Sequence, residues 1–128
     1  MAAGTTPIFP AAVICGFVQS TAANTNRDGT GTVYDLYTGT ANGDKIDEVR
    51  SKFQVTTTAG TVRYYVKKSG GSYRLIHEEA VPAITASATV PAFECTWPAK
   101  VLLNSGDVLA VSTEKAEACD HWAFGGAF

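Results

Sequence analysis

The sequence predicts an all-β fold: a two-sheet sandwich of eight or nine short antiparallel strands, jelly-roll-like, with an extended N-terminal arm. Apolar and polar residues alternate with period two, as in residues 93–97, which is typical of a sheet with one face in water. No stretch longer than about eight residues carries apolar residues at helical spacing. Clusters of Gly, Asn, Ser and Asp separate the alternating runs, as tight turns require.

The first elements in the chain are the arm and the domain that follows it. Residues 1–11 contain Pro7 and Pro10 and no turn signal, so we expect an extended segment there. Residues 12–128 are expected to form one domain, because a chain of 128 residues suffices for one compact core but not two. The strands are predicted near residues 12–19, 32–38, 45–56, 61–68, 72–79, 92–97, 99–103, 107–113 and 119–125.

Two hairpins are predicted from the turn residues between these strands. Residues 61–68 and 72–79 flank Ser69-Gly70-Gly71, a short turn that antiparallel neighbours use. A second hairpin is predicted between residues 101–103 and 108–111, around an Asn-Ser-Gly-Asp turn. Strand count and length favour a jelly roll, although strand order does not follow from the pattern.

Composition excludes several classes of protein. Ten basic and twelve acidic residues give a net charge of -2, whereas a protein that mainly binds phosphate groups carries an excess of basic residues. We therefore expect no direct nucleic-acid partner. No apolar run approaches the ~20 residues of a membrane helix, and no membrane partner is expected. The start lacks the basic leader of a secretory signal. Three cysteines without a CxxC pair are expected to be small buried side chains, in a chain made in a reducing cytoplasm.

Charge is missing from three segments of the chain. Residues 1–26, 80–93 and 122–128 contain no Asp, Glu, Lys or Arg, whereas seven of the ten basic residues lie between Lys45 and Arg74. Termini and long loops normally stay in water through charge. Uncharged segments stiffened by proline lose little solvation and little chain entropy on docking. We therefore expect these segments to bury surface in an assembly; the alternative is that they fold onto their own sheet.

A few residues could serve metal binding or nucleophilic catalysis, but simpler structural roles explain them. Residues 24–29 have the spacing of a calcium loop that Asp35 could close, but Asx turns explain the same residues. Cys119 and His121, with His77, could offer zinc ligands or a thiol nucleophile, yet the spacing is weak and no orienting third group is evident. We expect no catalytic residue, no metal site and no cofactor.

Two further sets of residues could form binding surfaces, but they too have simpler structural roles. Tyrosines and tryptophans could stack on sugars if exposed, but a small sandwich needs most of them in its core. The basic residues Arg63, Lys67, Lys68 and Arg74 span one predicted hairpin, with Glu78 and Glu79 at its end. This cluster is interpreted as a solvated sheet face.

Several turn motifs together resemble a known family. The block at residues 24–32, Thr57-Thr58-Ala59-Gly60, Val-Pro-Ala-Phe at 90–93, Ser105-Gly106 and Ala123-Phe124-Gly125-Gly126 are similar to those of capsid decoration (cement) proteins of tailed bacteriophages. The resemblance covers most of the chain from about residue 13. It implies a non-enzymatic virion protein on the outer surface of a phage head. Its partners would be the major capsid protein and itself, as a homodimer or homotrimer.

The family offers no catalytic motif to carry over, so the candidate contact residues come from the charge-free segments. The alternative function is a carbohydrate-binding β-sandwich module of a phage tail or fibre. A small metal-dependent or thiol enzyme is a third hypothesis. The candidate partner-binding residues are Pro7, Ile8, Phe9, Pro10, Pro82, Ile84, Pro91, Trp122 and Phe128.

Overall fold

A computed structural model describes residues 10–128, which form an all-β sandwich, as predicted. The described residues contain no helix, and hence none long and apolar enough to cross a membrane. Pro7, Ile8 and Phe9 of the predicted arm lie outside the described residues. The nine strands are β1 (Ala12–Ser20), β2 (Tyr34–Thr38), β3 (Asp44–Phe53), β4 (Gly60–Lys67), β5 (Tyr73–Val81), β6 (Glu94–Trp97), β7 (Val101–Leu103), β8 (Val108–Thr113) and β9 (Cys119–Ala127).

The strands divide into two antiparallel sheets. Sheet A has the order β1-β9-β3-β6, with β7 also paired to β3, and sheet B has the order β2-β8-β4-β5. Most consecutive strands therefore alternate between the sheets, and this crossing is the jelly-roll arrangement of two interlocked Greek keys. The first and last strands of the domain, β1 and β9, lie side by side over nine consecutive residue pairs.

Strands β6 and β7 act together as one interrupted partner of β3. Residues 49–52 of β3 pair with β6, and residues 44–46 pair with β7. Pro98 lies between the two short strands and cannot donate a ladder hydrogen bond, and Lys100 has a positive φ of 50°. The register of β3 against β9 shifts between Ile46 and Glu48, beside the gap that separates β6 from β7. The sheet is thus kinked at one point in two neighbouring strands.

The first predicted hairpin is confirmed and the second is wrong. Strands β4 and β5 pair around the Ser69-Gly70-Gly71 turn, where Gly71 N donates to Lys68 O at 2.7 Å. Residues 104–107 also form a tight turn, closed by Asp107 N donating to Asn104 O at 3.0 Å. That turn nevertheless joins β7 of sheet A to β8 of sheet B. Turn chemistry fixes the local reversal of the chain, whereas the partner of each strand depends on contacts made elsewhere.

The core lies between the two sheets and is filled by inward-facing aliphatic and aromatic residues. Tyr64 of β4 is fully buried near its centre, and Trp97 stands against it with ring centroids 4.9 Å apart. Removal of such side chains from water supplies most of the driving force for folding. The largest buried aliphatic members are Ile46, Val49, Val62, Leu103, Leu109 and Val111.

Candidate functional site

The uncharged loop between β5 and β6 is fastened to the neighbouring β3–β4 connection. Thr57 and Ile84 exchange backbone hydrogen bonds of 3.0 and 3.1 Å, and Thr57 Oγ1 donates to the carbonyl of Pro82 at 2.7 Å. Farther along, Ala86 N donates to Thr56 Oγ1 at 3.1 Å. The loop is therefore held in one shape by bonds to the domain, as a preformed contact surface requires.

The far side of this loop closes on itself and on β3. Ser87 N donates to Val90 O at 3.0 Å, which makes a compact turn at the tip. Lys52 Nζ donates to the carbonyl of Ala92 at 2.8 Å. Pro91 is exposed beside this turn, and 43% of Val90 is open to solvent.

We call the exposed uncharged residues at this end of the sandwich the loop surface. It consists of Val55, Pro82, Val90 and Pro91, and 40% of Val55 is open to solvent. Ile84, a predicted contact residue, is only half-buried and belongs to the anchor of the loop. Exposed aliphatic residues on a rigid, uncharged loop are typical of a docking surface.

The predicted contact residues do not form one continuous surface. Pro10 and Phe128 lie at the other end of the sandwich, where Phe128 N donates to Gly43 O at 3.0 Å just before β3 begins. The loop surface lies where β3 ends, and this strand of 10 residues is about 33 Å long. Trp122 lies between the two ends, in the middle of β9. At least two separate surfaces are therefore present.

The outer side of sheet A carries the second surface, which we call the sheet face. It is formed by Val13, Cys15 and Phe17 of β1 and by Trp122 and Phe124 of β9. The rings of Phe17 and Trp122 lie 4.4 Å apart, centroid to centroid. Val13 is 91% exposed and Phe17 is 51% exposed. Apolar side chains therefore line the outer side of sheet A along β1 and β9.

Sequence reasoning found Trp122 but missed Val13 and Phe17. The missed signal was that both sides of β1 are apolar: Ile14 and Val18 face the core while Val13 and Phe17 face out. A strand with this pattern is either covered on both sides or presents an apolar face to a partner. The uncharged N-terminal segment was assigned to the arm, although its charge-free character continues through β1.

A shallow groove of about 300 Å³ adjoins the sheet face. Pro10 forms one wall, packed over Gly126 so closely that a Cβ on this glycine would come within 2.6 Å of the proline Cγ. Lys45 and Asp47 form the other wall, with Lys45 Nζ 3.4 Å from Asp47 Oδ1. Both side chains of this ion pair are partly exposed and their charges are opposite, so the groove offers little net charge to a ligand.

A polar network links the two sheets inside the core. Fully buried His121 lies between two serines: Ser20 Oγ is 2.8 Å from Nε2, and Ser51 Oγ is 2.8 Å from Nδ1. Ser51 Oγ is also 2.6 Å from the hydroxyl of Tyr64, across in sheet B. A neutral imidazole donates from one nitrogen and accepts at the other, so both ring nitrogens are satisfied.

Burial controls the titration of this network. It lowers the pKa of His121 to about 4, which keeps the imidazole neutral near pH 7. It raises the pKa of the Cys119 thiol, whose Sγ lies 4.0 Å from Nδ1 of His121. Burial likewise raises the pKa of Tyr64 well above its ordinary value. These shifts favour the uncharged forms, so the network is suited to specifying how the two sheets pack.

The remaining side chains singled out from the sequence have structural partners. Within residues 10–128, no group of three or more His, Cys, Asp or Glu is arranged to hold a metal. His77 lies flat against Trp97, with ring centroids 4.6 Å apart. The 24–29 loop contains the expected Asx turns: Asn24 Oδ1 accepts from Asn26 N at 2.9 Å, and Asp28 Oδ1 accepts from Thr30 N at 3.1 Å.

The interpretation of the basic cluster as a solvated face is wrong for Arg63. This side chain is buried and is held by Glu78, with Nε 3.2 Å from Oε2, and by Glu114, with Nη2 2.7 Å from Oε2. Its Nη1 also donates to the carbonyl of Asn24 at 3.0 Å, which anchors the 24–29 loop. The strand pattern marked Arg63 as outward-facing, but a long loop from the N-terminal part of the chain covers that side of β4.

The expectation that all three cysteines are buried is also wrong. Cys119 is buried, Cys95 is half-buried and Cys15 is exposed on the sheet face. The exposure follows from the parity of β1, which points Cys15 to the same side as Val13 and Phe17.

Comparison with known proteins yields no matching family model and no matching curated protein.

Proposed function

We propose that this protein is a non-enzymatic capsid decoration protein, which binds the outer surface of a tailed-phage head and stabilises it through interfaces. The observation that carries the proposal is the loop surface. Most of it belongs to an uncharged loop that six hydrogen bonds from the β3–β4 connection, β3 and its own tip hold in shape. A protein that cements a shell requires interface area rather than reactive groups.

The two separate surfaces fit this task. A decoration protein contacts the shell on one side and neighbouring copies on another, so it needs more than one interface. Each contact can be modest, because many copies act together on a single shell. In this proposal the major capsid protein binds the loop surface, and the protein is located on the virion after synthesis in the host cytoplasm.

The experiment has a genetic step and a binding step. The gene next to this one is identified, and shells are assembled from the major capsid protein encoded there. Purified protein is then mixed with shells and sedimented. We expect Val90→Asp to lower shell occupancy at least about tenfold, because it buries a charge at the contact, with no change in the melting temperature of the free protein.

Leu102→Asp is the matched control, since Leu102 is a 73% exposed aliphatic residue far from the loop surface. Normal occupancy of this variant beside loss in Val90→Asp supports the proposal. Equal binding by both variants, or the lack of any shell binding by the native protein, overturns it. Quenching of tryptophan fluorescence by sugars would instead favour the carbohydrate-binding module.

A further inference from the structure

We propose that two copies of this chain pair through the outer edges of their β1 strands, antiparallel about a two-fold axis, so that sheet A continues from one molecule into the next. The inference rests on the oligomeric part of the proposed function and names the surface and symmetry that this part requires.

The backbone of β1 is an open template for pairing. The strand lies at the end of sheet A and pairs with β9 on one side. None of residues 10–128 forms a backbone hydrogen bond to its other side. The nine residues of β1 therefore present an edge about 30 Å long, with N–H and C=O groups directed away from the sheet.

This edge lacks the features by which sheets normally block such pairing. Proteins protect edge strands with charge, proline, bulges or short length. Residues 12–20 contain no charged residue and no proline. The register of β1 against β9 runs without a shift from Ala12 to Ser20. A long, flat, uncharged edge is a pairing surface unless something covers it.

The other sheet edges in the described chain are protected. Strand β5 carries Arg74 and Glu78, and its pairing with β4 contains a register shift. Strand β2 has five residues, the charged Asp35 and a register shift of its own. At the far side of sheet A, β6 has four residues and β7 has three. The contrast within one molecule shows that β1 is the exception.

A second copy of β1 fits this edge in charge and geometry. Two identical strands related by a two-fold axis are antiparallel, so each satisfies the other's backbone groups. Because residues 10–26 carry no charge, no like charges meet at the junction. With the axis at Gly16, the middle residue of β1, Phe17 would stand opposite Cys15 of the second copy and Val13 opposite Gln19.

The area beside the open edge is small. Val13 is 91% exposed and Phe17 is 51% exposed, and both stand on β1 itself. A backbone edge of about 30 Å with these two side chains buries less than the roughly 1,200 Å² of stable specific interfaces, as in weak, transient pairs. We expect a reversible dimer whose population rises with protein concentration.

The test uses the full free chain, without shells, so that dimerisation and shell binding fail or succeed separately. Light scattering after size-exclusion chromatography is expected to show monomer and dimer in proportions that depend on concentration. Phe17→Lys should weaken the dimer at least about tenfold, because it brings two like charges together near the axis. Leu102→Lys, at the opposite side of sheet A, should leave the dimer unchanged.

Cysteine cross-linking tests the register. The register that pairs all nine residues of both β1 strands places the axis at Gly16, so the two Cys15 side chains lie roughly 7–8 Å apart across the pair. A short bismaleimide should then link the native dimer, and Cys15→Ser should abolish the link. A monomer at all concentrations, a trimer, equal effects of Phe17→Lys and Leu102→Lys, or the absence of a Cys15 link would overturn the proposal.

Discussion

His121 lies in the core of a protein whose other interior residues are mostly apolar, and it stays neutral because burial penalises its charged form. Both ring nitrogens meet serine hydroxyls from neighbouring strands, so the histidine fixes one arrangement of β1, β3 and β9. A single polar group satisfied in this way contributes specificity to a core that apolar packing alone would leave less defined.

This histidine makes stability depend on pH. The pKa of His121 is about 4 in the folded protein, against an ordinary value of 6.5 in an unfolded chain. Between these values the unfolded state binds more protons, so the free energy of unfolding rises with pH. Acidification from pH 6.5 to 4 is expected to remove about 3 kcal/mol, measured by urea titration at several pH values.

Two variants isolate this contribution. His121→Gln replaces the imidazole ring by an amide that cannot titrate. The free energy of unfolding of this variant should therefore change less with pH between 4 and 6.5. His77→Gln serves as the comparison variant, because it removes the other histidine of the chain, which is half-buried at the edge of the sandwich. The prediction is contradicted if His121→Gln keeps the native slope.

At the scale of elements, strand β9 is the centre of sheet A and depends on two consecutive glycines. It pairs with β1 on one side and β3 on the other. A Cβ at Gly125 would overlap the backbone carbonyl of Lys45 in β3. A Cβ at Gly126 would meet the ring of Pro10, at the start of the described chain. The glycines therefore allow two different close approaches.

Gly125→Ala is expected to cost about 2–3 kcal/mol of unfolding free energy, because two paired strands must separate to admit the methyl group. Gly126→Ala should cost less than about 1 kcal/mol, because the methyl group would meet a proline ring outside the sheet rather than the backbone of a paired strand. Urea denaturation midpoints of the two variants measure the difference. Equal losses would show that the segment at Pro10 is held as firmly as the sheet.

Individual strands also show which structural features a local sequence pattern predicts and which it does not. The limits of β4 and β5 and the turn between them were predicted, because alternation and turn residues act within a few positions. The pairing of β7 was predicted wrongly with β8, since an equally good turn can lead into the other sheet. The exposed side of β1 was missed, because both parities of that strand are apolar.

At the scale of the whole molecule, the two proposed interfaces lie on different sides of the sandwich. Dimer formation and shell binding should therefore affect each other only when the protein assembles on a shell. Pairing through β1 would give each dimer two loop surfaces, so shell binding would gain from multivalency. Phe17→Lys should therefore lower shell occupancy even though its loop surface is intact. Val90→Asp should lower occupancy while the free protein still forms dimers.

Co-sedimentation with shells and light scattering of the free protein, applied to both variants, measure this coupling. Shell occupancy of Phe17→Lys equal to that of the native protein would mean that dimers are not required on the shell. Loss of dimers in Val90→Asp would mean that the loop surface and the β1 edge are not separate.

The amino-acid sequence by itself determined the all-β class, the approximate limits of all nine strands and the charge-free character of the loop between β5 and β6. These properties depend on residue order over short distances, through alternation, turn chemistry and the position of charge. Only the tertiary structure decided the strand order, the burial of Arg63 and the exposed edge of β1. Each of these depends on which distant segments meet: Arg63 is enclosed by groups from positions 24, 78 and 114, which no local pattern connects.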